Sequence, residues 1–114
     1  MNMVTLEVAS REKSNKRFLS ALKGKSEGAY ISFESPALLF RVFSGKRWDL
    51  LNAMAGAGPM TIREAARRAG RDVKAVHGDI QSLLKVGVLK KTDEGKVVFP
   101  FDAVHVDFML NVVS

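Results

Sequence analysis

Apolar residues recur along this chain with two different periods, and the switches between them divide it into elements. Met3, Leu6 and Val8 alternate imperfectly with polar positions, which predicts a short strand over Met3 to Ala9, with Ser10 placed to cap the next segment. From Arg11 to Lys23 the spacing becomes helical: Phe18, Leu19 and Leu22 share one face, and Lys13, Lys16, Arg17 and Lys23 occupy the others. Gly24 and Gly28 bracket a loop, after which Ala29 to Glu34 sets Tyr30 and Ser32 against Ile31 and Phe33, a second strand. Ser35-Pro36 pairs a capping residue with proline at the first helical position, opening a short apolar helix that carries Leu38, Leu39, Val42 and Phe43.

Ser44-Gly45 restarts the chain, and Lys46 to Ala55 places Trp48, Leu50, Leu51 and Met54 on a core-facing stripe that ends at Gly56-Ala57-Gly58-Pro59. Thr61 followed three residues later by Glu64 is a capping box, predicting a helix from Ile62 to about Ala69 that buries Ile62, Ala65, Ala66 and Ala69. Gly70 supplies a left-handed stop. Asp72 then caps a longer helix, Val73 to Val86, in which Val73, Val76, Ile80, Leu83 and Leu84 repeat at helical spacing and Gly87 is the terminator. Two β-prone runs, Val88 to Thr92 and Lys96 to Phe99, flank an Asp-Glu-Gly-Lys turn suited to a bulged hairpin. After Pro100, Val104, Val106, Phe108, Leu110 and Val112 alternate with His105, Asp107, Met109 and Asn111. A terminal strand that apolar needs a partner, either the N-terminal strand or the same strand of a second subunit.

A helix, a tight turn, a second helix and a basic hairpin make a winged helix-turn-helix, whose second helix suits the DNA major groove. The expected fold is therefore α+β: an N-terminal β-α-β-α extension over 1–43, a winged helix-turn-helix region over 44–100 and a C-terminal strand over 101–114, all within one domain.

Charge sharpens this picture. The 114 residues carry a net charge of +6 with a pI near 9.9, a field that attracts polyanions. Residues 44–99 hold eleven Lys/Arg against six Asp/Glu, residues 1–43 seven against four, and residues 100–114 none against two. Basic residues thus concentrate on the helix-turn-helix segment. The absence of cysteine excludes a disulfide framework, a zinc knuckle and a thiol nucleophile. No run of about eighteen apolar residues exists to span a membrane, and Glu7, Arg11, Glu12 and Lys13 interrupt any N-terminal signal core, so a cytoplasmic protein is expected. His77 and His105 lie in separate elements, and Gly56-Ala57-Gly58 lacks the Lys-Ser/Thr of a phosphate loop. Neither an enzyme, a metal nor a cofactor is expected.

The block Gly58-Pro59-Met60-Thr61-Ile62-Arg63-Glu64-Ala65-Ala66-Arg67-Arg68, then Gly70-Arg71-Asp72-Val73-Lys74 with Val76-His77 and Asp79, then Gly87-Val88-Leu89, resembles winged-helix DNA-binding proteins classed as predicted transcriptional regulators, relatives of the MarR and ArsR types. The resemblance covers roughly Ser32 to Leu110, and its Gly-Arg-Asp-Val-Lys-x-Val-His portion is the more specific part. It implies DNA binding, dimerisation and, for some members, encoding beside a toxin gene as the antitoxin. The chain departs from that pattern at Ala75 and Gly78, where a polar and a basic residue are common.

On the helix Val73 to Val86, the face opposite the apolar stripe presents Lys74, His77, Gly78, Gln81 and Lys85, with Ala75 beside them. Lys74 suits guanine, Gln81 adenine, and His77 a base acceptor or a phosphate. Gly78 costs about 1 kcal/mol of helix propensity relative to alanine, which close approach to DNA or to a neighbouring helix would explain. Arg63, Arg67, Arg68 and Arg71 are expected against phosphates, and Lys90, Lys91 and Lys96 line the wing. Trp48 falls on the apolar stripe and is expected in the core. The leading expectation is a sequence-specific, dimeric regulator of transcription that represses by binding double-stranded DNA. The alternative is an antitoxin that neutralises a small toxin protein, for instance by adding the Val104 to Val112 strand to its sheet edge. An RNA-binding role lacks the run of surface aromatics that stacks unpaired bases, and membrane-surface binding by the Arg11 to Lys23 helix lacks a wide enough apolar face.

Overall fold

The C-terminal strand finds its partner inside the chain. A computed structural model describes residues 2–8 and 29–109, in which β1 (Met3–Val8), β2 (Ala29–Phe33) and β5 (Ala103–Asp107) form a parallel sheet of order β2-β1-β5. The helix expected over Arg11 to Lys23 and the end of the tail strand, from Leu110 on, lie outside the described residues. Register is set at one corner of the sheet, where Asn2 Nδ2 donates to the Pro100 carbonyl (2.8 Å) and its backbone N–H to Asp102 Oδ2 (2.8 Å). Asp102 N–H donates back to the Asn2 carbonyl, which places Met3 beside Ala103.

In a parallel ladder residues in register point to the same face. Val4 and Leu6 therefore share one face with Val104, Val106, Ala29 and Ile31, while Thr5 and Glu7 share the other with His105, Asp107, Tyr30 and Ser32. Ser32 Oγ donates to Glu7 Oε2 across that polar face.

Between β2 and β5 run the elements that carry most of the core: α1 (Pro36–Val42), α2 (Gly45–Met54), α3 (Ile62–Ala69), α4 (Val73–Val86), β3 (Lys90–Lys91) and β4 (Val97–Val98). Their ends follow local chemistry. Ser35 caps α1 by accepting from Leu38 N–H, with Pro36 as the first helical residue. Thr61 Oγ1 accepts from Glu64 N–H at the start of α3, and Asp72 Oδ2 from Lys74 and Ala75 N–H at the start of α4. Gly70, at φ 66° and ψ 36°, turns α3 into α4 in the left-handed region, and Arg71 N–H closes the turn on the Ala66 carbonyl at 3.0 Å.

α2 packs on α3 and α3 on α4, with the small Ala65 and Ala66 buried between larger neighbours. Leu50, Leu51 and Met54 from α2 share one buried cluster with Val76, Ile80 and Leu83 from α4, and with Val88, Leu89, Val97, Phe99 and Phe101. Val4, Leu6, Phe33, Leu39 and Phe43 join the sheet to the same core. Each such side chain removed from water contributes roughly 1.5–3 kcal/mol, so the two parts cohere through one hydrophobic interior. Trp48 packs against it at 5.1 Å between ring centroids from Phe43, as its stripe position predicts.

Three expectations are corrected. Val73 is 42% exposed, because it lies on the wall of an open cleft between the first turns of α3 and α4 rather than in the core. Ile62 and Ala69 are half-buried at the ends of α3, leaving Ala65 and Ala66 as its fully buried pair. The tail strand stops at Asp107, paired with Glu7 in β1, where Phe108 leaves the ladder to pack edge-on to Phe40 at 5.6 Å.

Candidate nucleic-acid interface

The predicted contacts separate into residues that face solvent with their charge available and residues whose charge is used within the fold. α4 presents the first kind. Lys74, Ala75, His77, Gly78 and Gln81 are all exposed, along one side of a 14-residue helix whose opposite side buries Val76, Ile80 and Leu83. Among the described residues Lys74 makes no ion pair. A methyl group at Gly78 would meet nothing within 4 Å, so no described neighbour in this chain requires a glycine there.

The hairpin follows this helix along the chain after Gly87. β3 and β4 pair Lys90 with Val98 and Lys91 with Val97, and Val97 also exchanges two 2.8 Å backbone hydrogen bonds with Met60. Met60 thus adds a third, single-residue rung that anchors the hairpin to the start of α3. Lys96 N–H donates to Thr92 Oγ1, and Gly95 takes φ 82° to complete the turn, a geometry that favours glycine. Lys90, Lys91 and Lys96 are exposed, but so are Asp93 and Glu94 at the tip. The hairpin is therefore basic along its strands and acidic at its end, and a tip-first approach to phosphate is repelled.

The four arginines differ sharply. Arg63, in the first turn of α3, is exposed and makes no ion pair among the described residues. Arg67 and Arg68 are 71% and 42% exposed but both engage Glu64: Arg67 donates through Nε (2.9 Å to Oε2) and Nη2, and Arg68 through Nε (3.2 Å to Oε1). The Glu64 carboxyl lies below the usual carboxylate range, chiefly through its hydrogen bond from Arg67, and the same bond holds the Arg67 guanidinium above its ordinary value. A lowered carboxylate favours its ion pair above the ordinary carboxylate range and loses it as the pH falls through the shifted value, so the pair is intact at neutral pH. Thr61 receives the capping bond expected of it, while the Glu64 carboxylate is drawn forward along α3 to its arginines.

Arg71, expected against phosphate together with the other three, is turned inward instead. It is 19% exposed and lies 2.8 Å from Asp79 Oδ2, an electrostatic contact without the alignment of a hydrogen bond, while its Nη1 donates a long 3.5 Å bond to the Lys46 carbonyl. Asp79 Oδ1 accepts from Arg47 Nε at 3.1 Å, and Arg47 donates also to the Val42 carbonyl (2.7 Å) and Ser82 Oγ (3.2 Å). Arg47-Asp79-Arg71 thus ties α2, the α3–α4 turn and α4 together from below the exposed face. Sequence reasoning missed this tie and the Met60–Val97 rung, both made by residues distant along the chain. It also passed over Glu64 to Arg67 and Arg68, although spacings of three and four residues on one helix were the signal.

At the mouth of the α3–α4 junction, Thr61, Arg63, Glu64, Ala66, Arg67, Arg71 and Val73 line an open cleft of about 450 Å³. Its rim is cationic and its one carboxylate is Glu64, a chemistry suited to an anion approaching from solvent. Among the described residues no helix is long and apolar enough to cross a membrane. A protein-family model, HVO_A0114, matches residues 42–106, more than half of the chain. Comparison with curated proteins and with solved structures returned no match.

Proposed function

This chain belongs to the HVO_A0114 family, and we propose that the 42–106 region on which that membership rests is a winged helix-turn-helix that binds double-stranded DNA and regulates transcription. The carrying observation is the exposed side of α4, where Lys74, His77 and Gln81 stand around a glycine that the described fold does not need. α4 enters the major groove with its N-terminal half, and Lys74 and Gln81 address base edges. Arg63, together with Lys90, Lys91 and Lys96 along the hairpin strands, neutralises flanking phosphates and fixes register without reading sequence. Repression follows by occlusion of a promoter. As a homodimer the protein reads a pseudo-palindrome with half-sites about 34–36 Å apart or a multiple of that.

The test is binding of the purified full chain to its own upstream region and to random duplex of equal length. Lys74→Ala and Gln81→Ala are each expected to weaken specific binding by about 1–3 kcal/mol and random binding much less. Equal losses on both duplexes would reduce the two residues to phosphate contacts, and no binding to either at low salt would end the proposal.

A further inference from the structure

We propose that Glu64 occupies, as a built-in carboxylate, the seat that a DNA phosphate takes on α3, and so holds down the protein's affinity for duplex of any sequence. This inference rests on the DNA-binding reading and adds to it a residue that sets the strength of the sequence-independent part of binding.

The arginines of α3 differ in what they have available. Arg63 is unpaired among the described residues, whereas both Arg67 and Arg68 already donate to one carboxylate, Arg67 through two nitrogens. A planar guanidinium fork matches a carboxylate and a phosphate by the same geometry, so the two anions compete for the same donors. Glu64 lines the cationic cleft at the α3–α4 junction with Arg63 and Arg67, and it is the acidic group among the residues lining it. A phosphate settling there must displace the carboxylate from Arg67 and leave it close by. Fewer counterions are then released than the arginine count suggests, which flattens the salt dependence. The loss falls on all sequences alike, so it lowers operator and random binding by the same factor and leaves the ratio between them to the base contacts from α4.

The opposite sign of effect is equally physical: Glu64 could hold Arg67 and Arg68 in the pose that phosphate needs. The two are separated by Glu64→Gln, which keeps side-chain shape and helix propensity and removes the charge. With the full-length protein and a random 20-bp duplex probe, Glu64→Gln is expected to bind about tenfold tighter near 0.15 M salt, with the slope of log K against log salt steeper by about 1. Loss of simple long-range repulsion would also tighten binding, so Arg67→Ala is measured in both backgrounds. Competition for Arg67 predicts a cost of about threefold or less when Glu64 is present and about tenfold when Gln replaces it, whereas repulsion alone predicts equal costs.

A readout without DNA keeps the two levels apart. In the free protein the Arg67 Nε–H should give a ¹⁵N-resolved signal protected from water exchange, and that protection should vanish in Glu64→Gln. Fast exchange in the wild type overturns the ion-pair basis of the inference whatever happens with DNA. Duplex binding that is unchanged or weaker in Glu64→Gln, or equal costs of Arg67→Ala in the two backgrounds, overturns the competition and leaves the DNA-binding reading standing. Failure of wild type and Glu64→Gln alike to bind duplex overturns both.

Discussion

Asp79→Ala is expected to destabilise the folded protein by about 2–4 kcal/mol. Asp79 is 17% exposed and faces two guanidinium groups, of which Arg47 and Arg71 are 20% and 19% exposed. Removing the carboxylate leaves two half-buried cations facing each other with their common counter-charge gone, and a buried group that loses its partner costs more than the pair contributed. Arg47 retains the Val42 carbonyl and Ser82 Oγ, which keeps the cost below that of a fully orphaned charge. Asp79→Asn, which preserves shape and some acceptor capacity, should fall between the two. Urea unfolding followed by circular dichroism measures both, and a shift of the midpoint at constant slope would identify a change of stability rather than of the unfolded state. A loss below about 0.5 kcal/mol for Asp79→Ala would mean that solvent already screens this triad as it does a surface pair.

That triad also marks where the sequence stops being readable. The ends of α3 and α4 are set by residues within one turn of each boundary: Thr61 and Asp72 accept from backbone N–H groups two and three positions on, and Gly70 and Gly87 take the left-handed conformation that ends each helix. Such signals are local, and the spacing locates both helices at the residues where they occur. Arg71 and Asp79 are eight residues apart, and they meet because the chain reverses at Gly70 and brings the turn back over α4; no helical spacing encodes that. Alternation alone leaves the tail strand open to β1 or to a second subunit for the same reason, since pairing Met3 with Ala103 is decided by Asn2, Pro100 and Asp102 across the whole chain. Alternation in the tail runs on to Val112, yet the strand ends at Asp107, paired with Glu7, and alternation alone does not mark that end. The face of α4 is legible because the core claims Val76, Ile80 and Leu83, and the side opposite them is exposed by elimination. Which charges on α3 and its following turn are free is not legible from charge counts, since Glu64 occupies two of the four arginines and Asp79 a third.

Gly78→Glu is expected to separate stability from binding. Glycine in the middle of an exposed helix face costs about 1 kcal/mol relative to alanine, and glutamate is nearly as good a helix former as alanine. With open space around the position, the substitution meets no steric penalty inside the fold, so the thermal midpoint should rise, and Gly78→Ala should raise it by a similar amount. Alanine can replace hydrogen atoms lining a groove with a methyl group; glutamate brings a carboxylate and a longer side chain to the surface between Lys74, His77 and Gln81. If α4 lies in the major groove, that carboxylate faces base-edge acceptors and two phosphate rows in a partly dehydrated space, and binding should weaken by about 2–3 kcal/mol, roughly 30- to 150-fold. Gly78→Ala should lose less, about tenfold at most, in proportion to how closely the backbone approaches the base pairs. Measuring both variants by thermal melting and by duplex binding at one fixed salt concentration gives the needed pair of numbers. A more stable Gly78→Glu protein that binds duplex as tightly as the wild type would take α4 out of the groove, since a carboxylate held there could not leave the affinity unchanged.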